Sequence, residues 1–92
     1  MKLSFRIPAI IGAIVFAFSI PVQAGEDIAV AELPATVTKA IAEKHPGSTL
    51  LSAEKESEKG QTYYEVKIRD GSVQRQLDVN VEGVILKTEV DD

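Results

Sequence analysis

The sequence predicts an α+β domain in which one N-terminal helix packs on one face of a four-stranded antiparallel β-meander. Three observations lead there. Only the stretch 33–47 carries apolar residues at helical spacing. After Gly47 the apolar period drops from 3.6 to 2. Turn signals at Lys59-Gly60, Asp70-Gly71 and Glu82-Gly83 then cut the remainder into short strands.

The helical stretch reads LPATVTKAIAEKHPG. Pro34 suits the first helical position, where a missing N–H is no loss. Val37, Ile41 and His45 recur every four residues and form one stripe, with Leu33 and Ala40 at its edge. Lys39 and Lys44 fall late, where positive charge complements the helix dipole. Pro46-Gly47 stops the helix.

The first strand is expected over Thr49 to Lys55. In Gln61 to Arg69, Tyr64, Val66 and Ile68 face one way and Tyr63, Glu65, Lys67 and Arg69 the other. Asp70-Gly71 is a strong short-hairpin signal. Val73 to Val81 then sets Val73, Leu77, Val79 and Val81 against Gln74, Gln76, Asp78 and Asn80, with Arg75 breaking the pattern. The last strand is Val84 to Val90, with Val84, Leu86, Thr88 and Val90 inward by parity and Ile85 competing. Tight turns between consecutive strands imply a meander, and the helix is the only candidate cover for its apolar face. The order is therefore α-β-β-β-β. The opposite face, with Ser52, Glu54, Tyr63, Glu65, Lys67, Gln74, Gln76 and Asp78, is left to water or a partner.

The segment ahead of the helix sets the compartment. Lys2 and Arg6 precede a charge-free apolar run, Ile7 to Ile20, and Val22 and Ala24 place small residues where a signal peptidase reads. This is the layout of a secretory signal peptide over 1–24. The run is shorter than the roughly 20 residues a spanning helix needs. No cysteine follows it, which excludes a lipid-anchored lipoprotein. Residues 25–32 (GEDIAVAE) show no period and read as a flexible lead-in to a domain over 33–92.

Without Lys2 and Arg6, the 68 residues from Gly25 carry eight basic against fourteen acidic side chains, a net −6 with His45 neutral. Such a surface favours solubility and disfavours nucleic acid and anionic lipid. A domain of this size buries only about 60% of its unfolded surface. With no cysteine to form a disulfide, it relies on packing or on a partner.

LPATVTKAIAEKHPG, LLSAEKE, TYYEVKIRDG and LDVNVEGVIL, in that order, resemble the PepSY-like family of small exported bacterial domains. There a Leu-Pro-initiated helix ends at an aromatic-Pro-Gly, followed by a Ser-Ala-Glu strand, a Tyr-Glu-Val strand and a hairpin closing on Asp/Glu-Gly. The resemblance runs from Leu33 to about Glu89, with His45 standing where the family more often has an aromatic. It implies a helix on an antiparallel sheet, related to the repeats of a β-lactamase-inhibitor protein and to a segment of metallopeptidase propeptides. The implied roles are inhibition or regulation of envelope peptidases. No catalytic or binding residue carries over, because the motif is a folding motif.

Few residues suggest chemistry. His45 is the only histidine and lacks a ligand or nucleophile at useful spacing, so it reads as the end of the apolar stripe. Asp78, Asn80, Glu82, Gly83 and Glu89 nearly match an EF-hand calcium loop. The turn at Asp70-Gly71 leaves no room for an entering helix, and three residues after Glu89 leave none for an exiting one. A β-hairpin accounts for the same letters. Glu54, Glu56, Glu58 and Glu65 fall on exposed strands and turns, without a cleft for paired-carboxylate chemistry. Tyr63 is the one large aromatic on the open face, where such residues anchor partners.

The reading is an exported, non-catalytic binding module, periplasmic or secreted, that regulates or inhibits an envelope peptidase. Its expected partner is a protein or peptide of the cell envelope, with no nucleic acid and, after signal cleavage, no membrane. The candidate contact residues are Tyr63 and Lys67 on the open face, with Ile85 as a neighbouring apolar anchor. No catalytic residue, cofactor or metal ligand is assigned. The alternative is a small-molecule or calcium binder that uses the 78–89 hairpin.

Overall fold

A computed structural model describes residues 25–91. The expected signal peptide, 1–24, lies outside the described residues. The elements are β1 (Glu26–Ile28), a 3-10 turn (Val30–Glu32), α1 (Ala35–Lys44), β2 (Thr49–Glu58), β3 (Gln61–Asp70), β4 (Val73–Asn80) and β5 (Ile85–Val90). The α+β class is as expected, but the sheet has five strands, not four, in the order β1-β2-β3-β4-β5. All neighbours are antiparallel.

The added strand comes from the segment expected to be a lead-in. Glu26, Asp27 and Ile28 pair with Lys55, Glu54 and Ala53. Backbone bonds need no apolar period, so a three-residue edge strand leaves little trace in sequence. Ile28 and Val30 pack against the core, and the Ala29 N–H donates to the Glu32 carboxylate at 2.9 Å.

Pro34 caps α1 one residue before the expected place: its carbonyl accepts from the N–H of Val37 at 2.9 Å and of Thr38 at 3.2 Å. Val37 and Ile41 are fully buried, as the stripe requires. They meet Ala53 of β2, Tyr64, Val66 and Ile68 of β3, and Leu77 and Val79 of β4, with Leu33 closing the cluster. At the far end, His45 Nδ1 lies 3.0 Å from Asp70 Oδ2, and Arg75 Nε is 3.6 Å from the same oxygen. The parity-breaking Arg75 thus stands on the helix side, where it and His45 tie α1 to the β3–β4 hairpin.

Two bulges set which side chains face the helix. In β2 the pairing shifts between Leu50 and Ser52, so Leu50 and Ala53, an odd number of residues apart, both turn inward. In β5 it shifts between the partners of Asp78 and Val79: Lys87 pairs with Asp78, and Ile85 with Val79. Leu86 is the extra residue. Thr88 and Val90 stand on the helix side as expected, opposite Leu77 and Arg75, although Val90 is 57% exposed. Val84 and Leu86, expected inward, are not on that side and are 51% and 56% exposed. Val81, also expected inward, sits in the β4–β5 turn and is 48% exposed.

Candidate functional site

The face of the sheet away from α1 is built from rows of side chains that run across the strands. Every second residue of an extended chain points to the same side, so register fixes the rows. One row reads Asp27, Glu54, Glu65, Asp78 and Lys87. On one flank lies Glu56, Tyr63, Asn80; on the other lies Ser52, Lys67, Gln76, Glu89. Tyr63 and Lys67 therefore stand on the open face, as expected. Lys67 is solvent-exposed and 3.6 Å from Asp91.

Ile85 does not join them. The bulge at Leu86 turns Ile85 toward the helix, where it packs against the core beside Ala40. The apolar residue that reaches the open face is Leu86. It lines a shallow depression with Tyr63, Thr62, Asp78, Asn80 and Lys87. The signal for this exchange is absent from the letters VILKTEV, because a bulge changes register without changing composition.

The central row sets four carboxylates side by side with one cation at its end. Like charges directly opposite one another are unfavourable. The side chains respond in two ways. The Glu65 carboxylate accepts a hydrogen bond from the Gln76 amide. One carboxyl oxygen from each of Glu54, Glu56 and Glu65 lies within 4.8 Å of the other two. Burial, then hydrogen bonding and repulsion from Glu54, then repulsion from Glu65 push the Glu56 carboxyl up to about 7. Burial and the Asp78 and Glu54 charges raise Glu65, opposed by its hydrogen bond with Glu56 and by Lys67. Burial raises Asp78 while Lys87 holds it down. The Tyr63 phenol rises through burial first and then through Asp78 and Glu56.

The 78–89 segment is a β-hairpin, and its oxygens are engaged elsewhere than on one point. Asn80 Oδ1 accepts from the N–H groups of Glu82 and Val84, both at 2.9 Å. Glu89 pairs with Lys87 at 3.2 Å. Asp78 and Glu89 belong to different rows of the face. The three carboxylates that do converge, Glu54, Glu56 and Glu65, come from β2 and β3. Sequence alone assigned them to exposed strands and turns; their meeting follows from the β2–β3 register. His45 stands at the C-terminus of α1, paired with Asp70.

Comparison of the chain with protein-family models, curated proteins and solved structures finds no match.

Proposed function

We propose that this protein is an exported, non-catalytic binding module whose open sheet face receives a protein or peptide of the cell envelope. One observation carries the reading. Among the described residues the sheet is covered on one face by α1, and nothing covers the other. On that other face Tyr63 and Leu86 flank a depression rimmed by charged and amide side chains. An aromatic beside an aliphatic, ringed by polar groups, is the usual composition of a protein-binding hot spot. The PepSY-like order of helix and strands adds the role of peptidase inhibition or regulation, and the 1–24 segment adds export to the periplasm or beyond.

Site-specific photo-crosslinking in the native envelope tests this. A crosslinker in place of Tyr63 is expected to trap a discrete partner; one in place of the exposed Lys39, on the outer side of α1, is expected to trap none. Adducts that are equal at both positions, or found only at 39, would show that the partner does not use the open face. A calcium titration of the purified protein separates the alternative: an ion binder would show a calcium-linked rise in Tm, whereas a protein-binding face predicts no change.

A further inference from the structure

The edge of β5 carries a pattern that the open face does not explain. Of the five large apolar residues left exposed, Val81, Val84, Leu86 and Val90 all lie on β5 or in the turn before it. Among the described residues no strand lies beyond β5. The other edge differs: β1 has three residues, two of them acidic.

The alternation of backbone bonds tells which groups are free. The Asp91 N–H donates to the Gln74 carbonyl at 2.8 Å. In an antiparallel pair, bonded and non-bonded residues alternate. Counting back along the β4–β5 register, Glu89 and Lys87 also bond toward β4, while the N–H and C=O of Thr88 and Val90 point away from it. A second strand can therefore pair only through Thr88 and Val90, because before the bulge the alternation reverses and the Val84 carbonyl accepts from the Asn80 N–H of β4 at 3.0 Å.

The charges then select one register. For two copies of β5 related by a two-fold axis, centring on Lys87 sets lysine against lysine, and centring on Glu89 sets glutamate against glutamate. Centring on Thr88 sets Lys87 opposite Glu89 of the second copy, twice. It also forms a reciprocal pair of Thr88 backbone bonds. Lys87 and Glu89 already sit on one face, 3.2 Å apart, so the four charges would alternate in sign around the axis. Lysines, bulges and short strands usually close an edge to pairing. Here the bulge at Leu86 and the two charges restrict it to a single arrangement.

We propose that the β5 edge pairs antiparallel with β5 of a second copy of this chain, centred on Thr88, to give a two-fold dimer with one ten-stranded sheet. Such an interface is isologous, each copy offering the same patch. It leaves Tyr63 free and places two open faces side by side, so its failure and the failure of the binding proposal can be told apart.

Sedimentation velocity of the purified protein, its N-terminus read by intact mass, is expected to show a monomer converting to a dimer at tens to hundreds of micromolar, on the order of a weak specific contact. Thr88→Pro removes the outward donor without touching a β4 bond, as proline on an edge strand can. It should stay folded by circular dichroism and monomeric throughout. Lys87→Glu and Glu89→Lys should each be monomeric alone. An equimolar mixture of the two should recover the dimer, because every facing pair across the axis then joins a lysine to a glutamate. Should Lys87→Glu fail to fold, Glu89→Lys alone and the double reversal K87E/E89K give the same reading. A wild-type chain that stays monomeric to about 1 mM overturns the proposal and leaves the edge to a foreign strand. A dimer indifferent to Thr88→Pro and to both charge reversals overturns it too, by placing the contact elsewhere.

Discussion

Gly83 adopts a φ of +89°, and a Cβ added there would lie 2.8 Å from the Thr36 carbonyl oxygen of α1. Gly71 has a similar φ, +68°, but open space around it. The two positions separate backbone strain from contact. Gly71→Ala is expected to cost about 1–2 kcal/mol, the usual penalty of a left-handed residue with a Cβ. Gly83→Ala should cost distinctly more, and Gly83→Val more again, because the helix must also retreat. Thr36 Oγ1 donates to the Val81 carbonyl at 2.7 Å and would move with it. Chemical denaturation of the three variants measures this; equal losses at 71 and 83 would remove the helix contact from the explanation. Glu56 supplies a second test. Its folded pKa is raised from 4.5 to about 7, so between those values the native state holds more proton than the unfolded chain. Stability must then fall as pH rises from about 4.5 to 7 and level off above, and the upward shifts of Glu65 and Asp78 have the same sign. Melting curves across this range should show the decline, and Glu56→Gln should flatten it.

Among the elements, those with an uninterrupted period were legible in sequence. The Val37–Ile41 stripe fills the core as expected, and Tyr64, Val66 and Ile68 of β3 face the helix while Tyr63, Glu65 and Lys67 face away. Elements with a shift in period were not. The extra residues Leu51 and Leu86 reset parity inside β2 and β5, and each sits where several apolar letters adjoin, so no alternation marks the reset. That is why Tyr63 and Lys67 were placed correctly and Ile85 was not. The strand β1 escaped notice because three residues, Glu26 to Ile28, pair through backbone and bury only Ile28. Glu82-Gly83 announced the last turn, yet Asn80, whose side chain caps two N–H groups of that turn, looked like an ordinary polar strand residue. At this scale Ile41→Ala is expected to be the severe change. Ile41 is fully buried at the centre of the helix–sheet contact, and such a truncation costs about 2–5 kcal/mol. Far-UV circular dichroism during denaturation would record it, and a loss below about 1 kcal/mol would mean the core collapses onto the gap.

The whole molecule divides its work between two faces. The helix face holds the core and the His45–Asp70–Arg75 tie; the open face concentrates acid around a tyrosine and a leucine. The proposed export predicts that the form isolated outside the cytoplasm begins at Gly25, which intact mass decides. The division itself is tested by measuring affinity for the crosslinked partner and Tm together, on Tyr63→Ala and Ile85→Ser. Tyr63→Ala should weaken binding by at least about 1 kcal/mol, roughly fivefold, with Tm unchanged. Ile85→Ser should lower Tm and leave the affinity of the folded fraction alone. Unchanged affinity in Tyr63→Ala, together with weakened affinity in a fully stable Ile85→Ser, would place the partner on the helix side and contradict the account.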